Sequence, residues 1–152
     1  MTTPALADPL VRVYVSGQPT PQGSMRPVTA GGRLRAVHPA NVVEYRGRLT
    51  AAIRQAYTGE PYSDPVLVEI TIRVLRPKSH YRTGRNSRIL RDDAPAFPCT
   101  RRSGDVDKFA RVCLDATTDA GLWRDDAQVA SLSVRKVWGR AAGLALLVEV
   151  HP

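Results

Sequence analysis

The chain has 152 residues, 43% of them apolar, and a formal net charge of +8. That length suits one domain with its own core, and the apolar share is too high for a disordered polypeptide. No apolar run approaches the roughly 18 residues that a membrane span needs, so the sequence offers no transmembrane helix. The opening Met1-Thr2-Thr3-Pro4 lacks the basic-then-apolar layout of a secretory leader, and the expected location is the cytoplasm. In that compartment Cys99 and Cys113 are expected as two reduced thiols, not a disulfide.

Taken in chain order, Leu10 to Ser16 (LVRVYVS) alternates, with Val11, Val13 and Val15 on one face, and reads as a half-buried strand. The next stretch, GQPTPQGSMRPVTAGGRLRAVHP, is rich in Gly and Pro. It reads as an irregular hairpin with a short strand near Leu34 to Val37. From Asn41 to Tyr57, Val42, Tyr45, Leu49, Ala52, Ile53 and Ala56 recur at helical spacing, with Asn41 as cap and Gly59 as stop. Pro65 opens a strand whose Val66, Val68, Ile70, Ile72 and Val74 face one way. Residues 76–104, broken by Pro77, Gly84, Pro95 and Pro98, are expected to form a flexible basic loop. Asp105 then caps a second helix with Val106, Phe109, Ala110, Cys113 and Thr117 as its buried stripe and Gly121 as its stop. Val129 to Trp138 and Leu144 to Val150 read as two strands of a hairpin turned by GRAAG. The expected fold is a single α+β domain over residues 1–152, with one mixed sheet and two helices in the order ββαβαββ.

The charge is concentrated. Arg76, Lys78, Arg82, Arg85, Arg101 and Arg102 all fall in the loop, opposed there only by Asp92 and Asp93. Positive excess of this kind attracts polyanions. No amphipathic helix with a bulky apolar face accompanies it, which favours nucleic acid over a membrane surface as the partner.

Directly after this loop comes SGDVDKFARVCLDATTDAGLWRDD, with Asp105, Asp107, Asp125 and Asp126. Clustered carboxylates repel one another, and hard oxygen donors suit Mg²⁺ or Mn²⁺. A divalent site beside a basic surface is equipped to hydrolyse a phosphodiester. Convergence of the two pairs requires the strand after the second helix to pack beside that helix's start. Each acid also has a plain structural reading. Asp105 can be an N-cap, Asp107 can complement the helix dipole, and Asp107, Arg111 and Asp115 can form a solvated ladder. RDD can be a polar turn.

The stretch DVDKFARVCLDATTDAGLWRDDAQVASLSVRKV, Asp105 to Val137, resembles the signature of the RusA family of Holliday junction resolvases. The shared elements are the D-x-D start, the later D-A-x-T and the G-x-x-x-D-D-x-Q-V that follows. The resemblance implies a dimeric, Mg²⁺-dependent endonuclease, with Mn²⁺ as a substitute and no small-molecule cofactor. It would nick four-way DNA junctions symmetrically in recombination and repair, leaving 5′-phosphate and 3′-hydroxyl ends. The family's essential carboxylates fall on Asp105, Asp107 and Asp126, with Asp125 as a neighbouring acid and Asp115 mainly structural.

Two positions depart from the family pattern. Lys108 stands where the family has Asn, and Arg111 where it has a lysine four residues beyond the second aspartate. Arginine keeps the charge and grips phosphate with two donors but does not give up a proton, so Arg111 is assigned to phosphate stabilisation, shared with Lys108. The departures motivate a second expectation, a branched-DNA-binding protein of the same fold with weak or no cleavage. A third is a flap or fork nuclease with the same chemistry. Trp123 and Phe109 are expected in the core or at a dimer contact.

Overall fold

The computed structural model describes residues 9–150; the Met1–Pro4 stretch lies outside them. Six strands and two helices follow one another: β1 (Val11–Ser16), β2 (Arg26–Ala30), β3 (Arg33–Val37), α1 (Ala40–Ala56), β4 (Val66–Leu75), α2 (Val106–Ala120), β5 (Val129–Gly139) and β6 (Gly143–Val150). The main sheet has the order β1-β6-β4-β5. β6 runs antiparallel to both β1 and β4, whereas β5 is parallel to β4, so the sheet is mixed and the fold is α+β as expected.

Alternation decides which face is buried. Val11, Val13 and Val15 of β1 point inward with Val66, Val68, Ile70 and Ile72 of β4 and Leu144, Leu146 and Val148 of β6. α1 covers this face with Tyr45, Leu49 and Ile53, and α2 with Phe109, Val112, Cys113 and Ala116. The helices also pack on each other. Each fully enclosed aliphatic side chain contributes about 1.5–3 kcal/mol by leaving water. Trp123 and Phe109 are both core residues.

Several local expectations change. The glycine-rich segment holds two strands, paired from Arg26↔Val37 to Ala30↔Arg33 around Gly31 and Gly32, both with positive φ. Such a turn suits glycine and matches the twist of a hairpin. This ribbon forms its own two-stranded sheet and is exposed along its whole length, giving the order βββαβαββ.

β5 and β6 do not form a hairpin, because β4 lies between them. The most evenly apolar strand is central and takes a neighbour on each edge, so the chain after Gly139 crosses over β4 to reach its other side.

α1 begins one residue before Asn41, and no side chain caps it. The carbonyl of Pro39 instead accepts from the N–H groups of Val42 and Val43. The helix ends at an extended Tyr57, ahead of Gly59, and Ala56 is exposed. In α2, Asp105 does occupy the N-cap position and Gly121 the left-handed C-terminal one, with φ of 78°. Val106, however, is 42% exposed, because the buried stripe starts at Phe109.

Residues 76–104 are not wholly irregular. They contain three single 3₁₀ turns and a Tyr81↔Leu90 bridge, closed by Arg82 N–H to the Ile89 carbonyl and Arg91 N–H to that of His80. Asp92 and Asp93 are taken up locally by Arg82 and Arg91.

Both cysteines are free, Cys99 exposed and Cys113 buried. Burial pushes the Cys113 thiol up, out of the reactive range. A thiol-specific chromogenic reagent should therefore modify Cys99 at once in the native protein and Cys113 only on denaturation. Rapid labelling of both would contradict this core. Among the described residues no helix is long and apolar enough to cross a membrane.

Candidate active site

The start of α2 is shaped by Gly104. Its φ is +75°, and a Cβ there would meet two ring carbons of Phe109 at 2.8 Å. The bare backbone lets the buried Phe109 ring tuck under the turn that presents Asp105. Lys136, late in β5, donates from Nζ to the Gly104 carbonyl at 2.7 Å and to Ser103 Oγ at 2.8 Å. The start of α2 is thus tied to the end of β5. Gly104→Ala should cost about 1–3 kcal/mol, read by urea denaturation, because it combines a strained φ with a ring clash. Unchanged stability would show that the turn is looser than described.

The Asp105 side chain makes no cap hydrogen bond. It accepts from Lys108 Nζ at 2.7 Å, and this hydrogen bond and charge hold its carboxyl below the usual carboxylate range. Asp107 and Arg111 are exposed, and neither joins an ion pair among the described residues. The ladder from Asp107 through Arg111 to Asp115 therefore does not form. Asp115 turns instead to Arg46 of α1 at 3.1 Å and accepts a short hydrogen bond from Gln22 Nε2. Arg46 also grips both oxygens of Asp119, which ties α1 to α2.

Gln22 was not singled out by sequence reasoning, though it sits in the PTPQGS segment. It is buried, and its backbone N–H bonds the Lys108 carbonyl at 3.1 Å, anchoring that segment to the first turn of α2.

At the other end of α2, Leu122 and Trp123 are buried and the Trp123 indole donates to Thr118 Oγ1 at 2.8 Å. This fixes where the following turn emerges. Asp125 Oδ1 accepts from Ala127 N–H at 2.7 Å and caps a single 3₁₀ turn, whose first residue is the exposed Asp126. Gln128 Nε2 donates to the Tyr62 carbonyl at 2.7 Å, and Val129 pairs with Val66. Asp125 and Asp126 therefore stand where β4 and β5 begin.

The two acidic pairs lie at opposite ends of the helix. α2 has 15 residues, about 22 Å at 1.5 Å each. Along β5, Val129 and Lys136 are seven residues apart, about 23 Å by strand rise. Among the described residues no three His, Cys, Asp or Glu side chains come together as a set that could hold a metal ion. The expected convergence of Asp105 and Asp107 with Asp126 within one chain does not occur. The cause is topological: β5 is parallel to β4, so the crossover helix must carry the chain back to the far end before β5 starts.

Arg101 and Arg102 form an exposed 3₁₀ turn immediately before Gly104. Arg76 lies over the Trp138 ring at 5.2 Å, while Arg82 is paired with Asp92. Lys78 and Arg85 are exposed. The β2–β3 ribbon adds exposed Arg26, Arg33 and Arg35, which the sequence reading passed over. Three arginines within ten residues around Gly31-Gly32 were the available signal.

Fold and surface together give a small basic α+β domain whose exposed acids flank one crossover helix. The chain belongs to the endodeoxyribonuclease RusA family, whose profile matches residues 16–149, from the end of β1 into β6. That family comprises Holliday junction nucleases. Comparison with curated proteins found no match to the chain.

Proposed function

We propose that the chain resolves Holliday junctions in DNA by paired symmetric nicks, as a homodimer that uses Mg²⁺. The observation that carries this reading is the exposed Asp105 and Asp107 pair, set behind Arg101 and Arg102, in a chain of an endodeoxyribonuclease family.

Carboxylate oxygens fit a hard divalent cation, which commonly takes one or two of them and fills its other positions with water and phosphate oxygens. Asp105 and Asp107 would hold it, with Asp126 supplied by a second copy and Asp125 orienting the turn that carries Asp126. When bound, Mg²⁺ or Mn²⁺ supplies Lewis-acid activation of water and offsets phosphate charge.

A second copy fits because, among the described residues, β5 is paired on one side only and exposes Ala130 to Ser133. A two-fold axis at this free edge pairs β5 antiparallel with its copy, setting the start of one strand beside the end of the other. Since Lys136 ties the end of β5 to Gly104, Asp126 of one copy comes to the same end as Asp105 and Asp107 of the other. Two sites result, related by the symmetry that a four-way junction itself has.

Within each site Arg111, four residues beyond Asp107 on α2, grips the scissile phosphate with paired donors. Arg76, Lys78, Arg82, Arg85, Arg101 and Arg102 neutralise arm phosphates, and the ribbon arginines extend that track. The test is a synthetic four-way junction incubated with the protein, with and without Mg²⁺, beside linear duplex, fork and flap controls. Metal-dependent paired nicks in the junction support the reading. Equal cutting of fork or flap would replace it with the broader nuclease.

The Lys108–Asp105 pair favours one alternative, a branched-DNA binder with weak cleavage, because the ammonium already compensates the carboxylate that a cation would share. Lys108→Asn should then lower the Mg²⁺ concentration for half-maximal nicking, by less than about tenfold because the pair is exposed and screened by water. An unchanged requirement would remove Lys108 from the site.

A further inference from the structure

Beside the start of α2 lies an open pocket of about 750 Å³ whose aromatic and apolar walls have no role in the proposed cleavage. Its walls include Leu75, His80, Phe97 and Trp138, and Arg101 and Arg102 stand among its lining residues. Trp138 is fixed in place: its indole donates to the Pro95 carbonyl at 2.9 Å, His80 meets it edge-on at 5.1 Å, and Arg76 lies over the ring. Phe97, by contrast, is 63% exposed and leaves its ring open to the pocket. The wall from Thr100 to Ser103 runs straight into Gly104 and Asp105.

A pocket with aromatic and apolar walls and cationic side chains suits a flat, uncharged ring tethered to anions. We propose that it receives one unpaired nucleobase of the DNA strand, stacked on Phe97, with the adjoining phosphates on Arg101 and Arg102. The inference rests on the nuclease reading of the neighbouring acids. The arginines decide the occupant, because an apolar side chain of a protein partner carries no anionic tether to match them. Branched DNA supplies unstacked bases at low cost, and base–aromatic stacking is tolerant of sequence.

The test measures binding alone, without divalent cations, by fluorescence anisotropy. A short oligothymidylate and an abasic strand of the same length and charge are titrated with the intact protein. The base-bearing strand should bind about tenfold more tightly, the scale of one stacked base. Phe97→Ala should erase that preference while leaving abasic affinity unchanged, and Phe97→Tyr should keep it. Equal affinity for the two strands, or a preference that survives Phe97→Ala, overturns the proposal and leaves the pocket to a protein partner. The two readings fail separately: a protein that nicks junctions without base preference loses only the pocket. One with base preference that nicks nothing loses only the nuclease.

Discussion

Asp107→Asn should lower the nicking rate on a four-way junction by about a thousandfold, the scale at which a lost charge-stabilising group is felt in a transition state. Folding should be untouched, because the Asp107 side chain is exposed and joins no ion pair among the described residues. Junction affinity without metal should stay level or rise, since the change removes a negative charge facing phosphates. Single-turnover nicking and a gel-shift titration on the same preparation separate these effects. Asp115→Asn provides the contrast. It loosens the contacts to Arg46 and Gln22, so it should lower stability with little change in the chemical step. At this exposure the ion pair itself is worth about 1 kcal/mol or less. If Asp107→Asn cuts at the normal rate, the acids at the start of α2 are not part of the reaction.

Much of the fold was legible because the core obeys simple periods. β1 and β4 alternate strictly, and the α2 stripe from Phe109 to Thr117 follows the helical repeat, so each could be placed from its own residues. Strand partnership was not legible. VASLSVRKVW, GRAAG and LALLVEV look like a hairpin locally, and only competition for the two edges of β4 puts that strand between them. The same blind spot governed the site. Spacing along the chain brought Asp105, Asp107, Asp125 and Asp126 to notice, yet a parallel crossover holds the pairs a helix length apart. Lys136, which ties Gly104 to β5, carries no local signal at all. Gln22 was hidden for a similar reason, since its partners lie 86 and 93 positions away.

Mixing two inactive variants tests the shared site most directly. Asp107→Asn and Asp126→Asn proteins, each silent alone, are unfolded together, refolded together and assayed on a labelled junction. In a mixed dimer one site collects both substitutions and the other collects neither. Random pairing makes about half the dimers mixed, so about a quarter of the normal number of sites should return. Those sites should nick a single strand per binding event, without the paired cut. Recovery near that level, lost when either variant is refolded alone, is the predicted result. No recovery from mixtures in which mixed dimers are shown to form would contradict it, because sites built within one chain would then each carry a broken acid.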